Sequence, residues 1–516
     1  MSRRRFPLFP CVVFLLWAGA LTYAGLQPDL ERNLKGWLAM ILSLLATLVL
    51  LIWFFVSRRF SGRSKLIGLA IAVLILTLAK ITLRVDGVVD GRGLPRLTWR
   101  WASSKQPSTH SAHSHHERST PSDPRLAAAA NVPQFFGPAR DGHAPEVPLS
   151  SDWISKPPKE LWRQQIGAGW SAFAVVDGMA YTQEQRGEEE LVSCYDLLTG
   201  ATIWTYSEQA HFTQWQGGEG PRATPTVMDG HVYAYGATGI LHCLDAATGK
   251  LIWRVAVLDS LKSENLEWGV SASPLVVQDC IVVTPGRTRG ASLLGYDRKT
   301  GKLRWQVGDD ESSYASPLLT TLIGRSLILN NAARSLTVHD PDTGNLLAEH
   351  VWGVEKWPKA SQPVVIAPDL IFLSAGYGMG CQLLKIQAKA DATITIETVW
   401  TSMKMKTQFN SPAYHQGHFY GLDDGRLSCM EAATGERLWK EGRFGSGQTL
   451  LCGDLILVQN EDGHVHLCAA NPSGFREFGN IAALSSKTWN HPVLAGRYLL
   501  VRNDREAVCY ELPVPQ

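Results

Sequence analysis

The sequence predicts an all-β, eight-bladed β-propeller carried behind an α-helical anchor of three membrane spans. Three observations predict it. A phrase ending in Thr-Gly-x-x-x-Trp recurs at a spacing of about 50 residues, a second short signal opens each recurrence, and three long apolar runs are confined to the first 85 residues. The chain has 516 residues, 45% of them hydrophobic and 19% charged, which excludes wholesale disorder. Its 49 basic and 47 acidic residues leave a net charge of +2, so a nucleic-acid partner is not expected.

The apolar runs, residues 8–26, 36–56 and 66–83, are each near the roughly 20 residues a helix needs to cross a bilayer. Arg3, Arg4 and Arg5 before the first run also suit a signal peptide. No small-x-small cleavage site closes that run and two more spans follow, which favours a retained first helix in a three-helix anchor over residues 1–85. Arg58, Arg59, Arg63 and Lys65 fill the second loop against Arg32 and Lys35 in the first, so the N-terminus is expected in the cytoplasm. Residues after the third span then lie in the periplasm of a Gram-negative-type bacterium, with the anchor in the inner membrane. Lys80 sits where its amine can snorkel to the headgroups. Residues 86–131 read as a disordered Ser/Pro/His-rich linker, with one helical turn near Ala127–Ala130. His110, His113, His115 and His116 in it invite a metal reading, or only adventitious binding in a flexible tract. No metal site is assigned.

The folded part, residues 132–516, carries the repeat. Cys243-Leu-Asp245-Ala-Ala-Thr248-Gly249-Lys-Leu-Ile-Trp253 recurs around Asp196, Gly200 and Trp204, around Asp297, Gly301 and Trp305, and around Glu431, Gly435 and Trp439. A weaker copy at Asp340 and Gly344 ends in Ala348, and a decayed copy is expected between 344 and 435. Asp or Thr bonding its own backbone beside a Gly that accepts positive φ is the chemistry of a hairpin turn. A lone sheet of this kind cannot bury both faces, so the units must stack, and radial stacking makes a propeller. The residues of the repeat, Asp, Gly and Trp, are read as structural.

A second register gives the blade number. An [Ala/Ser/Asn]-x-Pro signal stands at 223–225, 272–274, 315–317, 361–363, 410–412 and 490–492, with Pro-less versions at 171–173 and 446–448. The eighth unit, residues 490–512, runs out of chain before its outer strand, and residues 160–166 have no blade of their own. They are expected to pair and close the ring. Five cysteines, Cys194, Cys243, Cys429, Cys468 and Cys509, share one repeat position, which favours small buried core residues over a disulfide framework.

The repeat and the phrase Phe136-Gly137-Pro138-Ala139-Arg140-Asp141-Gly142 resemble the pyrroloquinoline-quinone (PQQ)-like, quinoprotein alcohol dehydrogenase-like propeller repeat proteins of bacteria, over roughly residues 160–512. That superfamily implies two kinds of function. Some members are quinoprotein dehydrogenases, and others are cofactor-free binding propellers such as the lipoprotein of the outer-membrane β-barrel assembly machinery. An active quinoprotein implies a Trp floor, Ca2+ held by carboxylate and amide oxygens, an Asp base and commonly a Cys-Cys pair. This sequence has no Cys-Cys pair, and no calcium ligand or catalytic Asp maps onto it. PQQ with Ca2+ is therefore possible but unsupported by mapped residues, and the cofactor and catalytic residues stay unassigned.

Residues just before the opening signals should share one level of the central funnel: Trp170, Arg222, Ser271, Tyr314, Ala360, Phe409, Gly445 and Trp489. Loops on the same face add Gln185, Arg186, Trp215, Trp268, Arg287, Tyr377, Lys406, Lys487 and Arg502. Aromatic faces beside Arg and Lys suit a planar anionic ligand or an extended peptide, while aromatics that only fill the mouth are the alternative. The candidate ligand residues are Trp170, Arg186, Arg222, Trp268, Tyr314, Tyr377, Phe409 and Trp489. Two functions follow: a membrane-tethered binding or scaffold module with a protein or envelope-polymer partner, or a PQQ-dependent alcohol or aldose dehydrogenase feeding the membrane quinone pool.

Overall fold

The structure, a computed structural model, describes residues 8–27, 30–101, 123–288, 290–354, 357–390 and 393–515. It divides into two compact units, residues 1–106 with 215–217, and residues 107–214 with 218–516. The four linker histidines lie outside the described residues.

In the first unit, helices α1 (Leu8–Leu26), α2 (Arg32–Val56) and α3 (Gly62–Thr82) are each long and apolar enough to cross a membrane. α3 starts before its apolar run because Ser61 caps it, its hydroxyl accepting from the Ser64 N–H. Residues 83–99, of which composition assigns 86–99 to the disordered linker, form a hairpin of Leu83–Val88 against Pro95–Trp99. Alternating apolar side chains on both sides of an Asp-Gly turn give it a period of two, a signal that the Pro- and Ser-rich stretch downstream obscures.

The second unit is an eight-bladed propeller of four-stranded antiparallel sheets. Blade 1 runs through Ala174–Val176, Met179–Arg186, Glu189–Asp196 and Thr202–Gln209, and blades 2 to 7 repeat that order. Blade 8 takes Val493–Ala495, Tyr498–Arg502 and Glu506–Glu511 from the end of the chain and its outermost strand, Lys159–Gln165, from before blade 1.

The repeat's Trp and Gly serve adjacent blades. Each Trp lies under the turn of the next blade: Trp162 under Gly200, Trp204 under Gly249, Trp253 under Gly301, Trp305 under Gly344 and Trp400 under Gly435. A Cβ on any of these glycines would sit 2.5–2.8 Å from the indole, and each glycine also has φ between +68° and +73°. The indole N–H of Trp162, Trp204, Trp253 and Trp400 donates to a carbonyl of the neighbouring turn, at Leu197, Ala246, Arg298 and Ala432. Across the strand the Trp faces a small residue, as in the pairs Cys194–Trp204, Gly295–Trp305 and Cys429–Trp439. All nine cysteines are free, and burial pushes the Cys468 and Cys509 thiols up.

The copy expected to have decayed between 344 and 435 is a complete blade. Blade 5 pairs Gly380–Ala388 with Ile394–Ser402 and keeps its plug, Trp400 opposite Leu383. What it lacks is the Thr-Gly turn, and blade 4 offers Ala348 where the Trp that would cover that turn belongs. With no indole to accommodate, the glycine is not needed.

The opening signals form a belt. The Ala172 N–H donates to Thr224 Oγ1 (3.0 Å), the Thr224 N–H to Ser273 Oγ (2.9 Å) and the Ser273 N–H to Ser316 Oγ (2.8 Å). With its amide oriented by this network, Gln362 accepts from the Ser316 N–H and donates its own N–H to Ser411 Oγ. Thr449 and His491 continue the belt, and Asn490 Nδ2 donates to the Ser171 carbonyl to close it. The middle residue of [Ala/Ser/Asn]-x-Pro is thus the stitch between blades. Ser273→Ala leaves the buried Thr224 N–H unpaired and is expected to destabilise by about 1 to 3 kcal/mol. Ser271→Ala, whose hydroxyl only donates to the Gly269 carbonyl at a part-buried site, is expected to stay within about 0.5 kcal/mol. Guanidinium denaturation midpoints of the two variants check the contrast.

The phrase around Arg140 is a strap across the end of the channel where the inner strands finish. Val132 bridges Val175 of blade 1, the Pro133 carbonyl accepts from Val227 of blade 2, and His143 reaches the Tyr414 carbonyl of blade 6. Phe135 and Phe136 set their rings edge-on to His491 of blade 8. Arg140, 1% exposed, points its guanidinium at the carbonyls of Ser273, Pro274 and Pro317 and at Thr226 Oγ1.

Candidate functional site at the funnel mouth

All inner strands run the same way, so the residues before them gather at the mouth opposite the strap. Backbone bonds hold that level: the Pro221 carbonyl accepts from the Trp170 and Ser171 N–H groups, and the Lys359 carbonyl from those of Tyr314 and Ala315. Ring contacts sort the aromatics into three groups. Trp489 lies 4.8 Å from Trp170 and 5.5 Å from Phe409, Trp268 lies 5.6 Å from Tyr314, and Tyr377 stacks on Trp357 at 5.6 Å and 6°.

The first group spans blades 6, 8 and 1, and blade 7 makes that possible by having no side chain in the way. Gly445 stands at its level with φ +66°, where a Cβ would lie 2.5 Å from Glu461 Oε2. Gln448 of blade 7 bridges underneath, its amide donating to the Phe409 and Trp489 carbonyls at 3.0 and 2.9 Å. Trp489 Nε1 donates to Glu461 Oε1 at 2.7 Å, while Lys487 Nζ lies 4.1 Å from the centre of the Trp489 ring and 5.4 Å from that of Trp170. Trp170, Phe409, Lys487 and Trp489 are all part-exposed.

The cations read as ligand donors are differently placed. Arg222 lies over the Phe212 ring at 4.5 Å and donates to the Gly218 and Gly220 carbonyls. Burial pulls it down to about 10, still protonated at neutral pH. Arg186 pairs with Glu184 at 3.1 Å and touches the Tyr195 hydroxyl. Arg502 is fully buried and welds blade 8 to blade 1, donating to the Gln183 carbonyl and Thr182 Oγ1. Lys406 is 3% exposed and shares Asp423 with Arg437 and Lys440. A basic residue at a blade junction has backbone carbonyls within reach, and residue type alone does not separate that use from ligand binding. Gln185 bonds the Gly187 and Ala210 carbonyls, and Trp215 is 49% exposed.

The carboxylates are similarly occupied. Burial pushes Glu184 up, but Arg186, Arg502 and the Ser193 and Tyr195 hydroxyls outweigh it and hold its pKa below the ordinary value. Asp310 accepts from the Arg334 and Ser335 N–H groups, and Asp423 from three cations. Among the described residues no group of three His, Cys, Asp or Glu side chains converges. The donor set does not fit a Ca2+-bound quinone, because the mouth's buried carboxylates already bond to partners within the fold.

Glu190 is the exception in part. Oε1 accepts from the Ala237 N–H at 3.0 Å, Oε2 is buried without a hydrogen-bond partner, and burial raises the group to about 7 against the pull of that N–H and of Arg222. His491, behind the strap, is pushed down to about 4 by burial. The two act oppositely on stability. Glu190, raised in the fold, stabilises below pH 4.5 and loses that contribution as pH rises to 7; His491, lowered in the fold, stabilises above pH 6.5 and loses it as pH falls to 4. Each swing amounts to about 3 kcal/mol. Relative to wild type, Glu190→Gln is expected to lose stability and His491→Gln to gain it on going from pH 7 to 4.5, as read by denaturation midpoints.

Trp357, 47% exposed, Glu190 and Glu461 were not visible as mouth residues. Trp357 stands four residues before the opening signal at 361, and an aromatic at that offset is the signal that could have found it.

Fold and mouth together define a closed repeat propeller with a preformed aromatic face. Residues 188–441 match the model of the family described as "Outer membrane protein assembly factor BamB". Over 212 residues the chain is 28% identical to the quinohemoprotein alcohol dehydrogenase ADH-IIG of Pseudomonas putida, a match covering 35% of this chain and 28% of that relative. Among solved structures, BamB from Moraxella catarrhalis superposes with a TM-score of 0.50 at 18% identity, covering 70% of this chain and 99% of that one. The ADHIIG structure from Pseudomonas putida HK5 gives 0.52 at 14% identity, covering 76% and 82%. These matches support a PQQ-like β-propeller family for the chain.

Proposed function

We propose that this protein is a membrane-tethered propeller that works as a binding or scaffold module through its funnel mouth. In this reading the N-terminus is cytoplasmic, the anchor lies in the inner membrane, the propeller is periplasmic, and the partner is a protein or an envelope polymer. The observation that carries it is the division of labour at the mouth. Arg186, Arg222 and the buried carboxylates are engaged within the fold, while Trp170, Phe409, Trp489 and the Trp357–Tyr377 pair keep aromatic surface open on a backbone held by bonds between blades. Rigid aromatic faces of this kind bind by stacking and apolar contact at little cost in ordering. The matching family is that of an outer membrane protein assembly factor, which is consistent with protein docking.

The test places a photo-crosslinking side chain at Trp357 and at Thr199, a repeat turn on the opposite face, in the full membrane-anchored chain. Crosslinks to one defined partner from 357, absent from 199 and weakened by Trp489→Ala, are expected. Equal crosslinking from both faces removes the reading. Titration with PQQ and Ca2+ is expected to leave Trp fluorescence unchanged; quenching with dye reduction by an alcohol or aldose would instead establish the dehydrogenase.

A further inference from the structure

The hairpin that follows α3 has two unlike faces. Its register pairs Leu83 with Trp99, Arg84 with Thr98 and Val85 with Leu97, so Leu83, Val85, Leu97 and Trp99 share one face and Arg84, Asp86 and Arg96 belong to the other. The apolar face is open: Val85 is 54%, Leu97 60% and Trp99 53% exposed. Trp101, 68% exposed, extends it by stacking on Trp99 at 5.3 Å and 13°. On the polar face Arg96 pairs with Asp86 at 3.3 Å.

Its level along the helices is fixed. The Arg100 N–H donates to the Thr82 carbonyl and Arg100 Nε to that of Leu83, which ties the returning strand to the last turn of α3. Leu94, in the hairpin's turn, lies against Gly36 in the second turn of α2, with its Cδ1 3.3 Å from where a Cβ would stand. The start of α2 and the end of α3 emerge on the same side, so the hairpin sits where both helices leave the apolar layer.

We infer that this hairpin is a membrane-interface element, whose Val85, Leu97, Trp99 and Trp101 face lies in the headgroup–acyl boundary of the leaflet from which α3 emerges. Trp suits that boundary because its ring is apolar and its N–H can reach water or headgroups, and the neighbouring Arg84, Arg96 and Arg100 can reach lipid phosphates. The occupant follows from continuity: no residue separates the last residue of α3 from the first of the hairpin. The effect would be to hold the start of the linker flat on the membrane. The inference rests on α1–α3 being membrane spans.

The test uses the full chain in nanodiscs of phosphatidylcholine and phosphatidylglycerol, with Cys11→Ser to remove the one cysteine that is not buried. Single variants Val85→Cys, Leu97→Cys, Arg96→Cys and Leu74→Cys carry an environment-sensitive fluorophore. Labels at 85 and 97 are expected to be quenched several-fold more by shallow spin-labelled lipid than by aqueous iodide, and the label at 96 the reverse. The label at 74, inside α3, reports the spans themselves. If 74 is lipid-quenched while 85 and 97 are as open to iodide as 96, or shielded from both quenchers, the hairpin proposal is overturned and the anchor stands. If 74 is open to iodide, the spans fail and the proposal with them.

Discussion

Trp162→Ala is expected to destabilise the propeller by about 3 to 5 kcal/mol, near the top of the range for truncating a buried aromatic. The side chain is 6% exposed, its ring covers Gly200, and its N–H satisfies the Leu197 carbonyl. Trp204 and Trp253 do the same for later blades, but their strands belong to blades continuous in sequence. Lys159–Gln165 is joined to Glu506–Glu511 by the strand ladder, by Arg163 bridging to Glu506 at 2.8 Å, by the Tyr510 hydroxyl between Arg163 and Glu160, and by this one large plug. Loss of the plug therefore loosens the seam as well as leaving a cavity. Guanidinium unfolding gives the free energy, and limited proteolysis within residues 150–170 gives the seam. If Trp162→Ala loses no more than Trp253→Ala and gains no cleavage there, the seam is not a weak point and the local argument is wrong.

The architecture was legible because the repeat encodes contacts between neighbours. Gly recurs where an indole from the preceding blade presses on the turn, and the middle residue of [Ala/Ser/Asn]-x-Pro recurs where a hydroxyl takes its neighbour's N–H. Even the departures are reciprocal. Ala348 in blade 4 goes with a blade 5 turn that has no Gly, and Gly479 stands at the plug position of blade 7 where Trp153, from the segment before the propeller, packs in. A motif scan scores the 344–435 interval as decay because it counts the turn, whereas the strand pairing depends on Trp400 and survives. At the mouth the structure sets the aromatics grouped by the sequence in contact, and it engages the cations grouped with them inside the fold. Arg222 and Arg502 are needed by carbonyls that belong to no motif. Arg186 and Lys406 neutralise buried carboxylates many residues away in the case of Asp423, and only coordinates show that proximity.

Arg140→Met is the second large expected effect, a loss of about 3 to 5 kcal/mol on removing one partner from a buried charged network. The guanidinium takes Gln134 Oε1 at 2.8 Å, the Pro317 carbonyl at 3.0 Å, Thr226 Oγ1 at 3.2 Å and the carbonyls of Ser273 and Pro274. Apart from Gln134 of the strap itself, those partners come from blades 2, 3 and 4, so one side chain pins the strap to three wedges. No carboxylate is among them. Burial pulls the group down to about 9, which leaves it charged at neutral pH and held by neutral carbonyl and hydroxyl oxygens alone. Methionine fills similar volume but leaves the buried Ser273 and Pro317 carbonyls unpaired, each costing on the order of 1 to 3 kcal/mol before relaxation, while the Pro274 carbonyl keeps its bond from Thr226 Oγ1. Arg140→Lys keeps the charge with one nitrogen in place of a five-donor fork, and is expected to recover less than half of the loss. The strap closes the channel end opposite the mouth, so its release should appear as new proteolysis within residues 131–144 at denaturant concentrations where the blades stay folded. Arg140→Met within about 0.5 kcal/mol of wild type, with the strap still protected, would mean that the rest of the strap holds without it.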